Sequence, residues 1–161
     1  LAAAGYEALS AEIPDAEDIH RLRKYARAQI GRIAGEINRV GTPDHVVGSS
    51  KTFRSLARIA GAAPSGDGIY VPRKLFRRDL PGIIDTLSAR TPAERATLPG
   101  VSEARAGQVL AGAIVAEAAF TIFDITVMNI SPWALREGII MRKLDLLDSA
   151  ETTSAMGRTA D

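Results

Sequence analysis

A run of small, hydroxyl and basic residues, Gly48-Ser49-Ser50-Lys51-Thr52, follows the apolar pair Val46-Val47 and precedes Phe53-Arg54. The pattern predicts a strand over His45 to Val47, a tight turn, and a helix from Lys51 to about Ala60. Gly48 permits backbone conformations that a β-carbon resists. A helix starting at Lys51 aims its free N–H groups and positive dipole end at the turn. That arrangement suits a phosphate or another anion. The same residues also fit a simpler reading, in which Ser50 or Ser49 only caps the first helical turn. The run is not a Walker A loop, because the required glycine pattern before the lysine is missing. No Gly-x-Gly-x-x-Gly dinucleotide fingerprint occurs either. His45 is a candidate acid or base, but no paired carboxylate is identifiable. With His20 it makes up the whole histidine complement, too sparse for a metal triad.

A second glycine-bearing run, Leu98-Pro99-Gly100-Val101-Ser102-Glu103-Ala104-Arg105-Ala106-Gly107-Gln108-Val109-Leu110, is similar to a helix-hairpin-helix. That module holds DNA phosphates with backbone N–H groups. Ser102 departs from it, since a second glycine usually stands there. There is one copy only, and Lys+Arg exceed Asp+Glu by 20 − 19 = 1, which is weak for a nucleic-acid binder. Nucleic acid is therefore not an expected partner.

The elements that must hold these runs are mostly helical. Pro14 and Asp15 open a helix whose apolar residues recur at Ile19, Leu22, Ala26, Ile30, Ile33 and Ile37, a core-facing stripe. Gly41-Thr42-Pro43 breaks it. After the Lys51 helix, Gly61 to Gly68 reads as a surface loop, and Ile69 to Val71 as a very short strand. Lys74 to Ser88 reads as a helix, starting near Arg78 if Pro81 lies in its first turn. Thr91-Pro92-Ala93-Glu94 is a capping box with proline at the first helical position. Ser102 is expected to cap one long helix from Glu103 to about Phe123, in which Gly107 and Gly112 would admit close packing. Ile125 to Ile130 reads as a strand. Ser131-Pro132 is expected to open a last helix, and residues 148–161 are expected to be disordered. Each strand is followed by a helix, so parallel pairing through crossovers is expected. Two or three strands make a poor sheet alone, so the sheet is expected to be incomplete.

Composition bounds the rest. Of 161 residues, 46% are apolar, enough for one core. There is no cysteine, which excludes disulfides and thiolate chemistry and fits a reducing cytoplasm. No apolar run reaches the ~20 residues of a membrane span. The chain starts at Leu1 with no signal-peptide pattern, and a trimmed chain or fragment is the expectation.

Three blocks together resemble the C-terminal part of the exopolyphosphatase/guanosine pentaphosphate phosphohydrolase (Ppx/GppA) family. They are Val46 to Ala57, Leu98 to Ala113, and Pro132-Trp133-Ala134-Leu135-Arg136-Glu137-Gly138. The resemblance implies an α/β fold: the distal part of a ribonuclease H-like (actin-like ATPase) domain, helix-rich, with few parallel strands. It implies a lead-in over residues 1–13 and the distal part of the second such domain over residues 14–147. It implies release of terminal phosphate from polyphosphate or pppGpp, with Mg2+. The family's Asp-x-Gly loops and catalytic glutamate are not found here, so no catalytic residue and no metal ligand is expected in this chain. The phosphate-facing positions implied are Gly48, Ser49, Ser50, Lys51 and Arg105, with Arg136 and Glu137 as an ion pair or end-of-cleft contact. The implied partners are the substrate, an upstream domain of the same protein, and a second copy as a homodimer.

Overall fold

The computed structural model describes residues 13–134 and 137–145. It divides into two compact units, residues 1–130 and 131–161. The lead-in up to residue 12 and the expected tail at 148–161 lie outside the described residues.

The first unit is organised on one apolar helix. Helix α1 is Ala16–Asn38 and α2 is Lys51–Ile59; α3 is Leu80–Ser88 and α4 is Pro92–Ala96; α5 is Glu103–Ala106 and α6 is Val109–Ile122. Strands β1 (Val47–Gly48), β2 (Lys74–Phe76) and β3 (Val127–Ile130) form a single small sheet. Helix α6 is apolar around its circumference, and Leu110, Ala113, Ile114 and Phe120 have no exposed surface. Helices α1, α2 and α3 pack on it. Burying one such Leu, Ile or Phe side chain stabilises by about 1.5–3 kcal/mol, so α6 is the core's main contributor.

Helix α1 begins at Asp15, whose carboxylate accepts the Asp18 N–H at 2.8 Å, a cap that satisfies a free first-turn donor. It buries Leu22, Ala26, Ile30 and Ala34. Ala26 and Ile30 meet Ala118, Ile122 and Phe123 near the end of α6. The forked Arg23–Glu117 pair, at 2.7 and 3.2 Å, fixes the register of the two helices. Ile33 and Ile37, expected in the core, are 51% and 48% exposed. The reason is facing: the buried stripe runs through Leu22, Ala26, Ile30 and Ala34 in steps of four, which leaves Ile33 and Ile37 to one side of it.

The sheet order is β1-β3-β2. β1 is parallel to β3, with Val47 opposite Asn129 and Gly48 opposite Ile130. β2 is antiparallel to β3, with Leu75 opposite Met128. The sheet is thus mixed, where parallel pairing alone was expected. The strand expected at Ile69 to Val71 is not one; residues 69–70 are in a turn and the strand is Lys74–Phe76. Leu75, within the stretch expected to be helical, lies in this strand with no exposed surface. Helix α3 starts only at Leu80, with Pro81 in its first turn and the 3-10 turn Arg77–Asp79 before it.

The capping box of α4 forms as read, with Thr91 and Glu94 exchanging bonds. Arg95, 3% exposed, donates from Nε to the Leu87 carbonyl at 2.8 Å and ties α4 to α3. Its burial lowers the pKa of the guanidinium. The long helix expected from Glu103 to Phe123 is two helices. Gly107 and Gln108 form a turn in which the Gln108 N–H reaches Arg105 O at 2.9 Å, an i→i−3 step. Ser102 precedes α5 but makes no side-chain cap bond.

In the second unit, Pro132 to Ala134 are not helical, and residues 137–145 are. Ser131 Oγ accepts the Trp133 N–H at 3.1 Å, a local turn that takes the place of the expected cap on Pro132.

Two measurements check this packing. A β-carbon on Gly112 would lie 2.6 Å from Thr52 Cγ2, and overpacking of this kind costs about 1–3 kcal/mol. Gly112→Ala lowers the urea midpoint accordingly, and adding Thr52→Ser recovers most of the loss. The Glu94 carboxyl is held below its ordinary value of 4.5 by the Thr91 N–H first and the Thr91 hydroxyl second. A carboxyl lowered in the folded state stabilises fully above its unfolded pKa, and that contribution is lost as pH falls through the folded value. Glu94→Gln therefore flattens this part of the acid dependence of stability.

Candidate functional site

The site is built on one face of α2. Ser50 is its N-cap, with Oγ accepting the Phe53 N–H at 3.2 Å. Lys51, Arg54, Ser55 and Arg58 then fall at i, i+3, i+4 and i+7, which places them along a single stripe. The opposite stripe carries the buried Leu56 and Ala57. So the helix faces the core on one side and presents three cations on the other.

The hairpin at Gly100 closes over this stripe. Gly100 has φ +76°, a left-handed conformation that glycine adopts without penalty. A β-carbon there would stand 2.6 Å from Arg58 Cβ, so no side chain fits. Ser55, 7% exposed, donates its hydroxyl to the Gly100 carbonyl at 2.6 Å. The hairpin thereby brings Ser102 and Arg105 across from α2. Lys51, Arg54, Arg58 and Arg105 line one open pocket of about 270 Å³, with Ser65 also in the lining and no carboxylate among the described lining residues.

The four cations are not equally engaged. Arg54 donates from Nη2 to Ser49 O at 2.9 Å, and its Nε is enclosed without an acceptor among the described residues. Arg58 donates to the Ala62 carbonyl. Among the described residues, the side chains of Lys51 and Arg105 make no hydrogen bond or ion pair. Four like charges around a small pocket repel one another, and a polyanion relieves that repulsion while filling the free donors. Charge-assisted bonds from guanidinium to phosphate are among the strong ones. The arrangement can bind and orient an anion. Among the described lining residues there is no carboxylate or histidine to act as acid or base.

The expected site residues separate here. Lys51 and Arg105 are brought together. Ser50 is the helix cap, and Ser49 contributes its carbonyl to Arg54. Gly48 lies buried beneath the turn in β1, with a β-carbon position 2.5 Å from Met128 Sδ. Its φ is not positive, so close approach rather than a special backbone is what requires glycine. Glu137 lies in the second unit, where its carboxylate accepts the Ala134 N–H at 2.8 Å. Arg136 lies outside the described residues. Arg54, Arg58, Ser102 and Ser65 were missed as site residues. For the two arginines the i, i+3, i+7 spacing from Lys51 was an available signal. For Ser65 there was none.

The chain has clear relatives. A profile of the Ppx/GppA phosphatase family matches residues 6–147. Over 132 residues the chain is 46% identical to exopolyphosphatase 1 of Mycobacterium tuberculosis, covering 82% of this chain and 38% of that protein. It is 43% identical to exopolyphosphatase 1 of Mycobacterium leprae, covering 82% and 39%. The crystal structure of the Aquifex aeolicus Ppx/GppA family member superposes with a TM-score of 0.71 at 22% identity, covering 89% of this chain and 46% of that one. An exopolyphosphatase structure from Cytophaga hutchinsonii gives 0.68 at 22%, covering 83% and 43%. The structures share the fold. The chain spans about two fifths of the length of the curated relatives it matches.

An anion that binds only the folded state stabilises it by about 2.7 kcal/mol at 100 times its Kd. Inorganic pyrophosphate, compared with chloride at equal ionic strength, therefore raises the Tm. Lys51→Ala and Arg105→Ala each shrink that rise without lowering the Tm in chloride.

Proposed function

The chain belongs to the Ppx/GppA phosphatase family, and from that premise we propose that it is the C-terminal part of a phosphoanhydride hydrolase. On this reading residues 14–147 are the distal portion of the second ribonuclease H-like domain, and α2 with the Gly100 hairpin forms one wall of an interdomain phosphate cleft. The other wall and the catalytic carboxylate belong to an upstream domain, and the chain alone is inactive. The observation that carries the proposal is the convergence of Lys51, Arg54, Arg58 and Arg105 on one pocket with no carboxylate among its described lining residues.

The row of cations favours a linear substrate. Lys51 to Arg58 rises about 10 Å along the helix at 1.5 Å per residue. That reach exceeds one phosphate and suits consecutive phosphates of inorganic polyphosphate. Release of the terminal phosphate is the reaction proposed, with pppGpp as the competing substrate. The part played by this chain is to bind and align. The N–H groups of Arg105 and Arg54 hold non-bridging oxygens, and Lys51 at the start of α2 adds a point charge beside the helix's positive end. Holding the anhydride chain in place converts binding into correct presentation of the terminal phosphate.

The resemblance also implies Mg2+. The pocket does not fit it: four cations line the site, and no group of three His, Asp or Glu side chains among the described residues could hold a metal. No step here passes through a metal, which on this reading sits with carboxylates of the upstream domain. The lack of cysteine supports a cytoplasmic site of action. Among the described residues no helix is long and apolar enough to cross a membrane.

The helix-hairpin-helix reading is the less favoured one, because the Gly100 turn packs its carbonyl on Ser55 and its α-carbon against Arg58.

The test is steady-state turnover by the full-length protein. Loss of one charge-assisted contact is worth about 1.5–3 kcal/mol, roughly 10–100-fold in kcat/KM. Arg105→Ala is expected to lose that much with polyphosphate, and rising salt is expected to narrow the gap between wild type and variant. Unchanged polyphosphate and pppGpp turnover in Arg105→Ala would remove the assignment.

A further inference from the structure

The segment from Gly61 to Arg73 leaves α2, skirts the anion pocket and returns as β2. It has little to hold it. Residues 64–70 are all exposed, and none from 61 to 73 is buried. At its root, Gly61 with φ +95° ends α2. There the Ala62 N–H bonds to Ala57 O at 2.8 Å, and the Gly61 N–H to Arg58 O at 3.1 Å. These are the two bonds of a Schellman ending. Beyond that root, one side chain gathers the loop. Arg73 donates from Nε to Ala63 O at 2.9 Å. Its Nη1 donates to Gly68 O at 3.0 Å and Val71 O at 2.9 Å. Its Nη2 donates to Pro64 O and to Gly68 O. A guanidinium has five N–H donors, and here every one meets a carbonyl of the same loop.

Between the gripped carbonyls of Pro64 and Gly68 sits the 3-10 turn Ser65–Asp67. Ser65 lines the pocket formed by Lys51, Arg54, Arg58 and Arg105, and its hydroxyl makes no hydrogen bond among the described residues. The loop root is tied to the same site, since Arg58 donates to Ala62 O.

We propose that Arg73 is a positioning residue, holding the Gly61–Arg73 loop as a third wall of the anion pocket so that the Ser65 hydroxyl binds a phosphate of the substrate. Arg73 itself does not meet substrate, because its donors are all engaged. Lysine cannot replace it, since an ammonium has no planar fork to span four carbonyls. This inference rests on the polyphosphate reading above.

The experiment measures inorganic tripolyphosphate binding by calorimetry at fixed ionic strength, alongside polyphosphate turnover, in the full-length protein. Ser65 is exposed, so Ser65→Ala folds. It is expected to weaken binding about 2–10-fold, the range of one neutral hydrogen bond, and to raise KM with kcat held. Arg73→Lys keeps the charge and is expected to show the same loss. The double variant is expected to bind no more weakly than Arg73→Lys alone, because both changes remove one contact. Wild-type affinity in Ser65→Ala or in Arg73→Lys, whatever happens to Tm, overturns the proposal, as does an additive loss in the double variant. Failure of the wild type to bind tripolyphosphate overturns the underlying polyphosphate reading and this inference with it.

Discussion

Two of the places where a glycine leaves no room for a β-carbon hold helix α2 in position. At Gly112 the central helix α6 lies so close to Thr52 that a β-carbon would overlap it. At Gly100 the hairpin lies equally close to Arg58. Both contacts land on α2, one near its first turn and one near its last. Helix α2 is thus clamped between the core helix and the hairpin along most of its nine residues. Everything basic in the pocket depends on that clamp. It sets Lys51, Arg54 and Arg58 on one side and Arg105 on the other, and a shift of one helical turn would separate them.

Closeness of this kind has an electrostatic consequence. Four cations share a pocket whose described lining holds no carboxylate, while several other arginines of the unit are engaged. Arg23 is matched by Glu117 and Arg77 by Asp124, and Arg73 and Arg95 are saturated or tied by carbonyls. Those arginines are engaged where they serve packing, whereas the pocket gathers four cations with no acidic partner among its described lining residues. Packing contributed by α6 and the sheet beneath supplies the stability against which that repulsion is held, as functional sites commonly require.

The legibility of the chain followed the range of the interactions involved. The Asp15 cap, the Ser50 cap and the Thr91–Glu94 box were readable because each is settled within four residues. The helix period of α1 was readable, but the exposure of Ile33 and Ile37 was not. Their period is local, whereas which face is buried, here Leu22, Ala26, Ile30 and Ala34, depends on the elements packed against it. The break at Gly107-Gln108 was hidden by an apolar run that continues across it. β2 was misread as helix because its partner β3 lies some fifty residues away in sequence, and strand pairing is decided by such distant partners.

By itself the sequence determined the helix-rich class, the small incomplete sheet, the turn before α2, and the family, because these rest on local patterns and on motif order. It also singled out Lys51 and Arg105. Only the tertiary structure decided that these two share a pocket, that Arg54 and Arg58 join them, and that Gly48 packs closely on Met128. The physical reason is the same in each case. A residue's type and its neighbours fix what it can do, but a binding site is a meeting of distant segments, and here that meeting is set by two glycines whose missing side chains let those segments touch.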